Sequence, residues 1–292
     1  MGFRLANVAG RAVVVTGDGA DAVYHDVAEL SDGALGPDPM AVLGDIAALR
    51  HVAERARSTP SGGRLADVEL GAPVPRPQKV FGVGLNYHDH ATEGGVVAPD
   101  VPLVFTKFPS CIVGPHATVE LRGEHCDYEG ELVVVIGPGG KDIAPGDAWS
   151  HVAGLTVGQD VSDRDVQRSS KPPHFDLGKS FDTFGPTGPV VVSLDELDDP
   201  ATLRIVTEVN GEVRQDGTTA DLIFDVPTLV SYLSHITTLA PGDLIFTGTP
   251  AGVGFAQGRY LTAGDVITTT IEGIGTMTNR CHRSSDFPGL SR

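Results

Sequence analysis

Asp127-Tyr128-Glu129-Gly130-Glu131-Leu132-Val133-Val134-Val135-Ile136 sets three acidic side chains at alternate positions ahead of an unbroken apolar run. Successive side chains of a strand point to opposite faces, so an extended chain here puts Asp127, Glu129 and Glu131 on one face. Carboxylates crowded on one face need a cation, a basic partner or bulk water. An exposed acidic strand start carries the same pattern, so the segment alone leaves these alternatives open.

The run that follows it is one of many short apolar or alternating runs bounded by turn residues. The others include Val80–Gly84, Pro189–Val192, Leu203–Val209, Asp243–Thr247 and Val266–Ile271. Asn210-Gly211, between Val209 and Glu212-Val213, is a hairpin signal. Helical spacing of apolar residues appears over Pro39–Arg57 (Met40, Leu43, Ile46, Leu49, Val52) and over Asp225–Leu239, where Pro227 is tolerated in the first turn. Arg11–Val15 and Asp21–Tyr24 flank a turn at Thr16-Gly17-Asp18-Gly19. The balance predicts an α+β, β-dominated chain rather than alternating βαβ units. Its expected divisions are a small N-terminal α+β module over 1–72, a Pro-rich connector over 73–78, a catalytic domain over 79–285 and a tail over 286–292.

The 292 residues suffice for a full core. A net charge of −17 without any Lys/Arg cluster argues against nucleic-acid binding. No apolar run approaches membrane-spanning length, and the first residues lack a signal-peptide pattern. Cys111, Cys126 and Cys281 are odd in number and widely spaced, which predicts no disulfide framework and a reducing cytoplasm.

Further candidate chemistry surrounds the acidic run. His90 and Glu93, three apart, face each other on a helical turn, the arrangement of a carboxylate-oriented base. Asp160 follows the apolar stretch Val152–Val157 and could join the two glutamates; an oxygen-only set suits Mg²⁺, Mn²⁺ or Ca²⁺ better than zinc. Asp163 and Asp165 read as surface groups. Lys179 could bind a carboxylate or a developing oxyanion, with Arg164 and Gln167 as further pocket candidates. Thr247–Gly254 is a small-residue loop able to bring backbone N–H groups near a ligand. Gly82-Val83-Gly84 lacks the third glycine of a dinucleotide fingerprint, and Gly140-Lys141-Asp142 is no phosphate loop.

The ordered set Gly84-Leu-Asn-Tyr-x-x-His90-x-x-Glu93, Asp127-Tyr-Glu-Gly-Glu-Leu132, Asp160-Val-Ser-x-Arg164-Asp, Lys179-Ser-Phe-Asp-Thr-Phe-Gly-Pro186 and Pro241-Gly-Asp-Leu-Ile-Phe-Thr-Gly-Thr-Pro-x-Gly-Val-Gly254 closely resembles the fumarylacetoacetate hydrolase family over about residues 78–282. The resemblance implies a mixed β-sandwich roll, assembled as a homodimer. It makes Glu129, Glu131 and Asp160 the metal ligands, His90 with Glu93 a water-activating pair on a lid, and Lys179 the substrate and oxyanion contact. Arg164, Gln167 and Thr249 would line the pocket. Gln159, Asp163 and the Ser169–His174 stretch depart from the family pattern, and are expected to touch the pocket rim. The activity this implies is Mg²⁺- or Mn²⁺-dependent hydrolysis of a carbon–carbon bond in a small β-diketo acid of the acylpyruvate type. His90-activated water and a cation-stabilised enolate would carry it. Isomerisation or tautomerisation, hydration or oxaloacetate decarboxylation of related 2-oxo acids is the alternative, and a non-catalytic metal-binding protein of the same fold the last.

Overall fold

The apolar run after Glu129 becomes the strand Gly130–Ile136, and its partner is Val152–Gln159; every residue of both is buried. They pair antiparallel, Glu131 opposite Gly158, at the centre of a large mixed sheet. Leu244–Phe246 joins on the far side of Gly130–Ile136 and runs parallel to Val80–Gly84, beyond which Leu103–Thr106 forms an edge. Continuous apolar runs suit such central strands because both faces are covered. This computed structural model describes residues 2–59, 62–95 and 97–283. The expected tail over 286–292 and the last two residues of the 79–285 unit lie outside the described residues.

A second, five-stranded sheet of Glu212–Thr218, Arg204–Val209, Val266–Ile271, Gly275–His282 and Val119–Glu120 packs against the first. The architecture is the β-dominated α+β roll expected. Asn210 and Gly211 turn its hairpin with φ of 54° and 77°, as a two-residue loop requires. The two sheets approach closely at Gly130, where a Cβ would lie 2.1 Å from Thr207 Oγ1. Two glutamines bridge them there. Gln159 Nε2 donates to Thr269 Oγ1 (2.6 Å), and Gln215 Oε1 accepts from the Gly130 amide (3.0 Å).

The N-terminal strands Arg4–Val8, Arg11–Thr16 and Val23–Asp26 extend the large sheet through Gly185–Val192. The helix expected over Pro39–Arg57 is two, Pro39–Val42 and Ile46–Arg57. Asp45 restarts the second by accepting from the Ala48 amide (2.9 Å), an N-cap that outweighs the continuous apolar spacing. Asp225 caps Val226–Ile236 in the same way. The three cysteines are free and buried. Among the described residues no helix is long and apolar enough to cross a membrane.

Candidate active site

Glu129 and Glu131 straddle the start of the central strand, and Asp160 follows directly on the end of its partner. The pairing of those strands therefore brings the three together: one oxygen from each lies within 4.8 Å of the others. Metal–oxygen bonds of about 2.0–2.6 Å put opposed ligand atoms at most about 5 Å apart, so the trio has the span of a cation's shell. The alternate spacing does not carry through to Asp127. It belongs to a separate short strand, Cys126–Asp127, and binds elsewhere: to the Gly254 and Phe255 amides (2.7 and 2.9 Å) and to Arg164 (2.6 Å).

Lys179 reaches this trio from the turn Leu177–Lys179, with Nζ 2.8 Å from Glu129 Oε2, 2.6 Å from Asp160 Oδ2 and 2.9 Å from Ser162 Oγ. Arg164 donates to Glu129 Oε1 (2.6 Å) and through Nη1 to Gln167 Oε1 (2.9 Å), leaving Gln167 Nε2 uncommitted among the described residues. Burial opposes ionisation of Glu129, yet Lys179 and then Arg164, with a smaller pull from His90, hold its carboxyl down at about 2. Burial also opposes the charge on Lys179, but Asp160 and Glu129 override it and keep the ammonium protonated.

Glu131 is different. It is 1% exposed, accepts one hydrogen bond, from the Gly248 amide (2.7 Å), and has no ion pair among the described residues. Burial, then Asp160 and Glu129, push its carboxyl well above the usual range. Four carboxylates (Asp127, Glu129, Glu131, Asp160) face three cations (Lys107, Arg164, Lys179). With Glu131 ionised the cluster carries one negative charge in excess, and its converging oxygen donors fit a hard divalent ion.

His90 and Glu93 sit on the helix His88–Glu93, Nδ1 and Oε2 3.3 Å apart, with side chains 17% and 22% exposed. With Nδ1 engaged by Glu93, Nε2 is the ring atom left to exchange a proton. The Thr247–Gly254 loop ties this helix to the acids below. Its amides do reach carboxylates, but the protein's own: Gly248 to Glu131, Gly252 to both oxygens of Glu93 (3.1 Å), Gly254 to Asp127. Gly252 has φ 105°, and a Cβ there would lie 2.0 Å from the Arg214 carbonyl oxygen, so only glycine fits. Thr249 spends its hydroxyl on the Gly130 carbonyl (2.8 Å) and on Gln215 Nε2 (2.7 Å).

Two expectations about residue placement are corrected, and one residue is added. Gln159 is no rim residue: fully buried, it accepts from the Glu129 amide (3.1 Å) while spanning to the second sheet. Asp163 is neither surface nor rim, but caps the turn Arg164–Gln167 through the amides of Asp165 and Val166. Lys107 was not singled out, yet it is buried and bonds Asp160 Oδ1 at 2.7 Å. No local pattern distinguishes Lys107 from a solvated lysine.

The family description "Fumarylacetoacetate (FAA) hydrolase C-terminal" matches residues 79–282. The chain is 45% identical over 224 residues to oxaloacetate tautomerase YisK of Bacillus subtilis (strain 168), covering 74% of each. It is 45% identical over 219 residues to the Homo sapiens mitochondrial oxaloacetate tautomerase FAHD2A, covering 74% of this chain and 70% of that one. Among solved structures, maleylpyruvate hydrolase from Sphingobium sp. SYK-6, in complex with manganese(II) and pyruvate, superposes with a TM-score of 0.81 at 32% identity, covering 97% of this chain and all of the other.

Proposed function

The chain belongs to the fumarylacetoacetate hydrolase family, and within it we propose that it interconverts the keto and enol forms of a small 2-oxo acid of the oxaloacetate type. The observation that carries this reading is a cationic lysine and a carboxylate-engaged histidine set around one buried carboxylate trio. The 45% identity to two proteins named oxaloacetate tautomerases supports the choice of substrate. Mg²⁺ or Mn²⁺ held by Glu129, Glu131 and Asp160 would supply Lewis-acid polarisation of the substrate's carboxylate and 2-oxo oxygens.

The protein's own groups do the rest. His90 Nε2 takes a proton from C3, the C–H electron pair becomes the C2–C3 double bond, and the carbonyl pair moves onto the 2-oxo oxygen. The proton then returns to that oxygen, and no atom is gained or lost. Lys179 stabilises the charge that develops there. Lys179 and, after it, Arg164 hold Glu129 ionised, and Gln167 Nε2, uncommitted among the described residues, is a donor for substrate. Thr249 supports the floor from behind.

A second reading is hydrolysis of an acylpyruvate-type β-diketo acid, with His90 activating water. The fold shared with a maleylpyruvate hydrolase that binds manganese and pyruvate favours it. Oxaloacetate decarboxylation would use the same enolate. Residues 79–285 are taken as the catalytic unit and the chain as a homodimer; the exposed apolar Val101, Leu103 and Phe108 beside the edge strand Leu103–Thr106 support the latter, and light scattering tests it.

The deciding experiment follows the ultraviolet absorbance of oxaloacetate enol, and separately of a short acylpyruvate, with EDTA-stripped protein before and after adding Mn²⁺ or Mg²⁺. Metal-restored enol equilibration without release of CO₂ or acid is the expected result. Pyruvate and free acid released from the acylpyruvate, with no enol equilibration, would move the assignment to the hydrolase. Silence in both assays sinks both readings.

A further inference from the structure

Two lysines meet at Asp160, and their surroundings differ. Lys179 binds Asp160 Oδ2, Glu129 Oε2 and Ser162 Oγ, all side-chain oxygens. Lys107 binds the other oxygen, Asp160 Oδ1, at 2.7 Å, and its remaining protons go to the main-chain carbonyls of Phe184 (3.1 Å) and Lys179. An ammonium has three protons, so Lys107 is fully spent. Its side chain is 0% exposed, with the Phe246 ring 5.8 Å from Nζ. Its amide donates to the Val80 carbonyl (2.9 Å), which anchors the residue to the large sheet.

We propose that Lys107 is a positioning residue: it occupies Asp160 Oδ1, so that a cation meets Asp160 through Oδ2, the oxygen Lys179 also touches, and it fixes the turn from which Lys179 reaches the site. The inference rests on the cation reading above, though not on which reaction follows. A carboxylate with both oxygens free can bind a divalent ion through either or both. Engaging Oδ1 narrows that choice to Oδ2 and spares a coordination position for substrate. The same ammonium grips the Lys179 carbonyl, so ligand and lysine are set by one group. Lys107 also places a positive charge behind the ligand, which lowers the site's attraction for the free ion.

The test uses the full chain with Lys107→Met. Mn²⁺ affinity is read by calorimetry, coordination number by the visible absorption of the Co²⁺-loaded protein, and folding by Tm. The variant should bind Mn²⁺ no more weakly, and up to about tenfold more tightly, as a repelling charge is removed. Its Co²⁺ band should weaken as Asp160 adds its second oxygen, and turnover should fall about 10–100-fold. A merely structural lysine would instead lower Tm and Mn²⁺ affinity together and leave the Co²⁺ spectrum unchanged, which overturns the proposal. If Lys107→Met does not fold, Lys107→Gln, neutral but still a donor to Asp160, must show the tightening with a smaller spectral change. Wild-type protein that binds neither ion would overturn the cation reading itself. Wild-type binding matched in every readout by the variant would overturn only the role of Lys107.

Discussion

The carboxylate floor and the His90 rim are built by opposite means. Glu131 lies within the central strand and Asp160 directly follows its partner, so backbone ladders place both side chains, which are buried. His90 and Glu93 lie on a six-residue helix, too short to persist alone. A few hydrogen bonds dock it: Gly252 to Glu93, Ala251 to Asp89 (3.2 Å), and the Asp89 amide to Asp221 (3.1 Å). Each is worth about 1 kcal/mol, whereas the floor cannot shift without opening the sheet. Cation binding and proton movement should therefore separate on mutation.

Glu131→Gln should have the largest effect. Turnover should fall to the uncatalysed level and Mn²⁺ should no longer raise Tm. The apo Tm should hold or rise, because the change removes a buried carboxylate that no basic group pairs among the described residues. An apo variant that unfolds would mean Glu131 is structural, and the floor would lose its ligand role. Next comes His90→Ala, expected to lower kcat by about 10²–10⁴ with Mn²⁺ affinity unchanged in calorimetry. Affinity falling in step with kcat would merge rim and floor and end the comparison. Glu93→Gln should cost about 10–100-fold in kcat, since it loosens both the imidazole and the Gly252 contact. The docking bonds predict faster amide exchange in this variant at 88–93 but not at 130–136.

The two regions also differed in how far they could be read beforehand. Strand positions followed from short apolar runs, and the Asn210-Gly211 turn from its dipeptide, because both signals are local. Glu129, Glu131 and Asp160 stood out by their positions at strand ends, and the family resemblance singled out these three as ligands. Asp127 misled because alternation assumes one continuous strand, and the chain breaks between Asp127 and Gly130. Gln159 and Asp163 were misplaced because their partners, Thr269 and the amides of Asp165 and Val166, are set by the packing of the second sheet and by a single turn. Lys107 was invisible for the same reason: its acceptors come from residues 160, 179 and 184, and only tertiary structure brings them to one point.

The smallest effect is on stability, and it isolates the floor from the rim. In the folded apo chain Glu131 holds its proton above the value of an unfolded glutamate, about 4.3. The folded chain thus keeps a proton that the unfolded chain has released, and this group's contribution declines as pH rises above that value. Glu129 runs the other way: at about 2 when folded, its contribution is fully present above the unfolded value and is lost only as pH falls toward 2. Of these two, only Glu131 still changes above about pH 5. Mn²⁺ competes with that proton, so the Tm increment from saturating Mn²⁺ should grow as pH rises above about 5, as binding to the folded state alone adds about 2.7 kcal/mol at 100 Kd. Glu131→Gln should abolish the growth, and His90→Ala should leave it intact, because the rim contributes none of the three converging carboxylates. An increment flat with pH would show that Glu131 is already ionised without metal, and that the floor is balanced by its lysines rather than waiting for a cation.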